Sequence, residues 1–300
     1  MDWIVTDQLE LVGAVRYDYF SDNSVSRFTP KLNVCWKPVR GLALRMGYGM
    51  GFRAPSLKER YYDFDMSGIW IIEGNAALKP EISHNFNVSA EYTRGAYNFT
   101  ASAYYNKVTD KISTAAPYFK STSDKLPYLP YINLSGYNVC GGELGAQARW
   151  GNGLSARLTY AFTHEQLPKD GDGNTINNQY IPARKHSLNV RVDYDRQLTR
   201  RYALAAGLSG RVLSGTKNVE YKNYYNVAEG MVDVEYPAYT IWKLSLVHRI
   251  GTAVKLTTAL DNIFNYRPKY HYLNAPLTDG ITFQVGVSVD VDRLIVKSKH

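Results

Sequence analysis

Residues 42–53 read LALRMGYGMGFR, and the apolar side chains of Leu42, Leu44, Met46 and Tyr48 stand at every second position. Successive side chains of a β-strand point to opposite faces of the sheet, so this alternation predicts a strand with one apolar face. The same alternation recurs along the chain, and no helical periodicity competes with it. The further segments lie at 9–19, 28–36, 84–93, 97–108, 137–150, 154–164, 185–195, 201–212, 239–250, 254–264 and 281–291. The sequence therefore predicts an all-β protein of about twelve strands.

The connections between these segments alternate in length. Short links such as 38–41, 93–96 and 151–153 follow every second strand, whereas the other links are long, apart from the one near 21–26. The long links are 53–82, 109–131, 165–184, 213–236 and 265–280. Outer-membrane barrels have long extracellular loops and tight periplasmic turns, so this asymmetry favours an antiparallel, up-and-down transmembrane β-barrel. A soluble two-sheet sandwich is the alternative, but it has no reason to collect its long loops at one end.

Aromatic residues support the membrane interpretation. The 300 residues include 25 Tyr and 5 Trp, and such amphipathic rings are enriched at membrane–water interfaces. Trp36 and Trp150 fall near the tight turns, while Tyr19 and Tyr48 fall near the long loops. No stretch reaches the roughly 18 to 20 apolar residues that a membrane helix needs.

Composition excludes several functional classes. The net charge is +8, but the Lys and Arg residues form no run, so no nucleic-acid partner is expected. Cys35 and Cys140 match no metal motif, and a disulfide between them is an open alternative that nothing else in the sequence supports. His186 and Ser187 are adjacent, so in a strand they point to opposite faces and make a poor catalytic pair. We expect no enzyme activity; an outer-membrane phospholipase barrel is the enzyme alternative, and a passive porin is a further one.

Two motifs flank the first long loop. Residues 49–59 read GMGFRAPSLKE and residues 73–81 read EGNAALKPE. They resemble the paired boxes of TonB-dependent receptors, although Ala76 stands where the second box usually has proline. Residues 260–266, LDNIFNY, resemble the penultimate-strand motif of the same family. The matching box residues are Phe52, Arg53, Ala54, Pro55, Asn75, Leu78, Lys79, Pro80 and Glu81.

The resemblance implies a barrel of about 22 strands that encloses a plug and lies in the outer membrane of a Gram-negative bacterium. Residues 1–300 are expected to form the C-terminal part of that barrel, without the N-terminal plug or the TonB box. The implied function is TonB-dependent uptake of an iron complex, with haem slightly favoured over a ferric siderophore. Cobalamin or another nutrient is the alternative cargo. The implied partners are outer-membrane lipid, the inner-membrane TonB complex acting through the missing plug, and a binding partner at the long loops.

Candidate ligand-binding residues lie in the long loops. Residues 53–75 contain no His but offer Tyr61, Tyr62 and Met66, whose oxygen and sulfur atoms can bind haem iron. Other candidates assigned to long loops are His164, Tyr224, Tyr225 and His271. For each of them, simple loop packing is the open alternative. The box residues are interpreted as mainly structural, with Glu59 or Glu81 either accepting loop hydrogen bonds or pairing with Arg53. No intrinsic cofactor and no bound metal are expected.

Overall fold

A computed structural model describes residues 2–21, 25–115, 117–134, 136–166, 183–223, 229–268 and 278–292. Nineteen strands and one short helix make up these ranges. In chain order they are β1 (Asp2–Thr6), β2 (Leu9–Phe20), β3 (Val25–Trp36), β4 (Leu42–Arg53), α1 (Leu57–Tyr61), β5 (Phe64–Met66), β6 (Trp70–Glu73), β7 (Glu81–Arg94), β8 (Tyr97–Thr109), β9 (Lys111–Thr114), β10 (Tyr128–Leu134), β11 (Tyr137–Arg149), β12 (Leu154–Gln166), β13 (His186–Thr199), β14 (Tyr202–Leu213), β15 (Thr216–Tyr221), β16 (Met231–Tyr236), β17 (Tyr239–Ile250), β18 (Val254–Asp261) and β19 (Thr282–Val289).

Thirteen of the strands form one sheet in the order β1-β2-β3-β4-β7-β8-β11-β12-β13-β14-β17-β18-β19. Every neighbouring pair in this sheet is antiparallel, and the order along the sheet follows the order along the chain. This confirms the predicted all-β, up-and-down architecture. Among the described residues β1 pairs only with β2 and β19 only with β18, so the sheet is an open segment of wall.

The thirteen strands of the main sheet agree with the prediction of about twelve, with β1 as the strand that was not foreseen, but the prediction that no helix competes missed α1. Strand β1 reads DWIVT, in which Trp3, Ile4 and Val5 are consecutive, so no alternation was visible. Helix α1 has five residues, too few for a 3.6-residue period to register. The sequence contains one local indication of this helix, the capping box formed by Ser56 and Glu59 at its N-terminus.

One face of the main sheet is apolar, and no other described part of the chain covers it. Met46, Phe86, Leu144 and Leu158 lie on this outward face and expose 58, 50, 58 and 46% of their surface. A soluble domain would bury such a face against a second layer. In a membrane, lipid tails cover it instead. None of the described helices is long and apolar enough to span a membrane.

The first two long loops fold together at one end of the sheet. Strands β5, β6, β10 and β9 form a four-stranded sheet there, in which β10 runs parallel to β6 and antiparallel to β9. We call the described part of residues 54–80 and 110–134 the loop platform. Its core contains five of the nine buried hydrophobic residues of the described chain: Ile72, Leu78, Ile112, Leu129 and Leu134. A third loop carries the hairpin β15–β16, with Tyr236 buried.

The two cysteines are free. Cys35 lies on β3 and Cys140 on β11, with β4, β7 and β8 between these strands.

Candidate functional site

Arg53 ties the end of the wall to the loop platform. It is the last residue of β4 and lies directly opposite Glu81, the first residue of β7. Its Nε donates to Glu81 Oε2 at 2.7 Å, and its Nη1 donates to Glu59 Oε1 at 2.9 Å. A guanidinium has donors fixed in a planar fork, so one arginine can bind two carboxylates in defined positions. The structure shows both ion pairs that the sequence suggested for Arg53, one with Glu59 and one with Glu81.

Glu59 is also held by the N-terminus of α1. Its carboxylate accepts hydrogen bonds from the backbone amide and the hydroxyl of Ser56, at 2.7 and 2.9 Å. Burial alone would raise the pKa of Glu59, but the bonds from Ser56 and Arg53 outweigh it and hold this pKa below its usual value. Glu59 therefore stays ionised at neutral pH and fixes the start of the loop.

The second box joins the two long loops of the platform. The Asn75 side chain donates to the Tyr131 carbonyl at 2.9 Å and accepts from the Ala77 amide at 2.9 Å. Asn133 binds both the amide and the carbonyl of Lys79, each at 2.8 Å. Leu78, in the same box, is buried. These contacts support a structural role for the box residues.

A glycine in this region allows a close backbone approach. A Cβ built on Gly74 would stand 2.9 Å from the backbone nitrogens of Tyr61 and Tyr62. The Asn75 amide, next along the chain, donates to the Glu59 carbonyl at 2.9 Å. Any larger residue at 74 would push the end of α1 away from β6.

The three predicted haem ligands lie on the outer surface of the platform. Tyr61, Tyr62 and Met66 expose 51, 59 and 48% of their surface. The guanidinium of Arg60 lies 4.7 Å from the ring centre of Tyr61. The Met66 sulfur accepts a hydrogen bond from Trp70 Nε1 at 3.3 Å. The two phenols are therefore accessible, whereas Met66 would have to give up this contact to bind iron.

The remaining candidates divide into two groups. His164 was assigned to a loop, and this was wrong: it lies within β12, directly opposite Cys140 on β11. His164 was already the last residue of the predicted strand 154–164, and β12 extends two residues further because it pairs with β11 as far as Gln166. Tyr224, Tyr225 and His271 lie outside the described residues.

A charged and aromatic cluster on the platform was missed. Glu73 binds Lys120 Nζ at 2.7 Å and accepts from the Tyr118 hydroxyl at 2.8 Å, while Lys120 lies 3.9 Å above the ring of Tyr128. Burial would raise the pKa of Glu73, but Lys120 and Tyr118 together hold it below its usual value. The hydrogen bond to Glu73 in turn raises the pKa of Tyr118. No local motif reveals this cluster because Glu73 and Lys120 come from different loops.

A cation-rich cavity on the polar face of the main sheet was also missed. It has a volume of about 610 Å³ and is lined by Arg157, Arg191, Arg211 and Lys243. These residues come from four successive strands, β12, β13, β14 and β17. Cross-strand register pairs Arg157 with Arg191 directly. The sequence shows which residues of each strand lie on the polar face. It does not show which of them are neighbours across strands, because that depends on the register of the pairing.

Few carboxylates balance these cations. Arg191 binds Asp193 at 2.7 Å, and Lys243 binds Asp261 at 3.3 Å. Arg157 instead donates to the neutral side chain of Gln147 at 2.9 Å. Among the residues that the structure describes, these four cations pair with only two carboxylates, so the cavity has a positive potential and suits an anionic ligand.

Known proteins resemble this chain over part of their length. The iron-regulated outer membrane virulence protein of Vibrio cholerae serotype O1 is 24% identical over 298 residues, which cover 96% of this chain and 43% of that protein. The ferric enterobactin receptor of Pseudomonas aeruginosa superposes with a TM-score of 0.70 at 18% identity, covering 96% of this chain and 43% of the receptor. The siderophore receptor PirA of Acinetobacter baumannii gives a TM-score of 0.74 at 16% identity, covering 96% of this chain and 44% of PirA. At these identities the structural likeness concerns the fold, and the chain spans less than half the length of each relative.

The sequence model of one protein family matches most of the chain. That family is described as TonB dependent receptor-like, beta-barrel, and the match covers residues 1–263. The match confirms the predicted barrel architecture and, together with the Vibrio relative, the outer-membrane location. The chain belongs to the β-barrel family of the TonB-dependent receptors.

Proposed function

We propose that this chain forms the C-terminal part of the barrel wall, together with outer loops, of a TonB-dependent importer for an anionic iron complex. The observation that carries the proposal is the cavity lined by Arg157, Arg191, Arg211 and Lys243 on the polar face of the wall. In a closed barrel this face lines the lumen, through which a ligand passes. The names of the relatives, an iron-regulated protein and siderophore receptors, support iron as the cargo. Energy would come from the inner-membrane TonB complex through a plug outside residues 1–300.

Two anionic iron complexes satisfy this chemistry. A ferric siderophore with catecholate groups carries its negative charge on the iron-binding oxygens, while haem carries it on two propionates. Tyr61 and Tyr62 add exposed phenols on the platform, and a tyrosine oxygen can ligate haem iron. The cavity suits either anion, so the uptake and haem-binding experiments below are designed to distinguish the two complexes.

Uptake by cells that express the complete reading frame tests the transport function. With radioactive iron supplied as ferric enterobactin or as haemin, Arg157→Gln combined with Arg211→Gln should raise KM for the transported complex about tenfold. Arg157→Lys with Arg211→Lys keeps both charges and serves as the matched control, which should stay near the parent protein. Unchanged uptake in the glutamine variant would remove the cavity from the pathway. Equal uptake in cells without TonB would indicate a passive porin.

Haem binding has a separate readout. Haemin added to the purified product of the complete reading frame should shift the Soret band if the platform phenols ligate iron. The triple variant Tyr61→Ala, Tyr62→Ala and Met66→Ala should abolish that shift, whereas His164→Ala should preserve it. A missing shift, or one that the triple variant keeps, removes the haem-ligand hypothesis and leaves a siderophore as the proposed cargo.

A further inference from the structure

Three tyrosine–histidine pairs of one geometry lie on the outward, apolar face of the main sheet. In each, a Tyr hydroxyl lies 2.7 or 2.8 Å from His Nδ1, and the two rings stack at 20 to 24°. The pairs are Tyr48–His84, Tyr160–His186 and Tyr202–His248. When the hydroxyl donates to Nδ1, a neutral imidazole carries its proton on Nε2. Each histidine then keeps one N–H donor that its tyrosine does not use.

The first pair has a cationic neighbour. Lys107 on β8 lies directly opposite His84 on β7, so both side chains share one face of the sheet. Residues opposite each other in an antiparallel pair have Cβ atoms about 4.5–5.5 Å apart. Lys107 is exposed. His248, in contrast, stands between Leu204 and Leu256.

This part of the outward face offers Lys107 no carboxylate. Strands β4, β7, β8, β11 and β12 are fully described, and their outward positions contain no Asp or Glu. The acidic residues of these strands, including Glu91, Glu143 and Glu165, have the opposite parity. A lone ammonium on a lipid-facing surface requires an anion or water at the interface.

The position of Lys107 along the strand fits the headgroup region. Tyr105 lies two residues before it, and Tyr105 is directly opposite Phe86, whose ring centre is 4.9 Å from that of Tyr48. These rings form the aromatic belt at the platform end of the sheet. Lys107 and His84 lie one step beyond this belt, toward the long loops. Aromatic belts mark the level at which hydrocarbon gives way to headgroups.

We propose that Tyr48, His84 and Lys107 form a binding site for the phosphate group of an outer-leaflet lipid. The Lys107 ammonium supplies the charge, the Nε2–H of His84 supplies a directed hydrogen bond, and Tyr48 orients the imidazole. A phosphate accepts both donors through separate oxygens, and charge-assisted bonds of this kind are the strong ones. The tyrosine rings below the site contact the upper part of the lipid chains. The site is independent of the transported ligand.

Short-chain phosphatidic acid is a suitable probe, because it carries both a phosphate and acyl chains. It is titrated into the detergent-solubilised product of the complete reading frame, and bound molecules are counted by native mass spectrometry. The variant His84→Gln with Lys107→Gln should weaken binding about tenfold. The matched control His248→Gln, which breaks a pair of the same geometry without a cationic neighbour, should bind as the parent does. Lys107→Arg keeps the charge and should retain binding. Retained binding in this variant would show that a substitution at this position does not by itself unfold the protein.

Three results would overturn the proposal. Equal losses in the double variant and in His248→Gln would mean that the pairs only stabilise the wall. Unchanged binding in the double variant would place the lipid elsewhere. Equally tight binding of inorganic phosphate, or of the matching diacylglycerol without phosphate, would remove the assignment to a lipid headgroup.

Discussion

At the scale of single residues, the Arg53 fork fixes the loop platform to the wall. A lysine at this position keeps the positive charge but cannot hold two carboxylates in fixed positions as the planar guanidinium does. Arg53→Lys should therefore lower the free energy of local opening of α1 by about 1–3 kcal/mol. Hydrogen exchange of the amides of 57–61 measures this change. Arg45→Lys is the matched control, since Arg45 binds Glu91 near the tight turns. Equal protection of 57–61 in the parent and in Arg53→Lys would contradict the role of the fork.

The ionised state of Glu59 makes the platform sensitive to acid. The pKa of Glu59 in the folded protein lies below the ordinary value of 4.5. Its contribution to stability is therefore complete above that ordinary value and is lost as the pH falls through the folded-state pKa. Exchange of the 57–61 amides, corrected for the intrinsic effect of pH, should accelerate on acidification. Glu59→Gln should be less protected at neutral pH and should show a weaker acid response; an identical acid response in both proteins would exclude Glu59 as the group.

Residue-level prediction from sequence succeeded where the signal was local. The two boxes, recognised by their resemblance to a known family, pointed to Arg53 and to Glu59 or Glu81 as its possible partners, and all three residues lie within or next to these short motifs. It failed for His164, which was grouped with the loop candidates although it ended the predicted strand 154–164; in the structure β12 extends past it to Gln166. It also missed the cluster around Glu73 and Lys120, since those residues meet only after two loops fold together.

At the scale of elements, the platform has its own apolar core and should lose structure independently of the wall. Leu129 in β10 is 2% exposed, so Leu129→Ala should cost about 2–5 kcal/mol of platform stability. Trypsin should then cleave at Lys120 and Lys125 faster than in the parent. Leu144→Ala, on the lipid-facing side of β11, is the control and should leave those sites protected. Unfolding of the whole barrel by Leu129→Ala, seen as loss of its gel mobility shift on heating, would mean that platform and wall are one cooperative unit.

The strands of the wall were predictable because period-two alternation extends over twelve or more residues in most of them. The short strands could not be predicted from alternation. Strand β1 has no alternation, and β5, β6 and β9 have only three or four residues each. In the platform, β6 pairs with β10 of the other long loop, while β5 and β9 pair with β6 and β10 at the two edges. No single stretch of sequence encodes this pairing between loops.

At the scale of the whole molecule, the structure has three surfaces with different environments. The outward face contacts lipid, the polar face carries the cation-rich cavity, and the platform covers one end of the wall. The sequence predicted the first from the alternation of apolar and polar residues, and the third only as two long loops. The cavity required the register of four strands, which alternation leaves undetermined.

The orientation of the wall is the central claim, because it decides which end receives the ligand. In a protein with Cys35→Ser and Cys140→Ser, single cysteines replace Thr122, which is exposed on the platform, or Arg40, which is exposed in a tight turn. Intact cells are treated with a bulky, membrane-impermeant maleimide. The account predicts labelling of Thr122→Cys in intact cells, and of Arg40→Cys only after the outer membrane is permeabilised. Labelling of Arg40→Cys in intact cells, with Thr122→Cys protected, would contradict it.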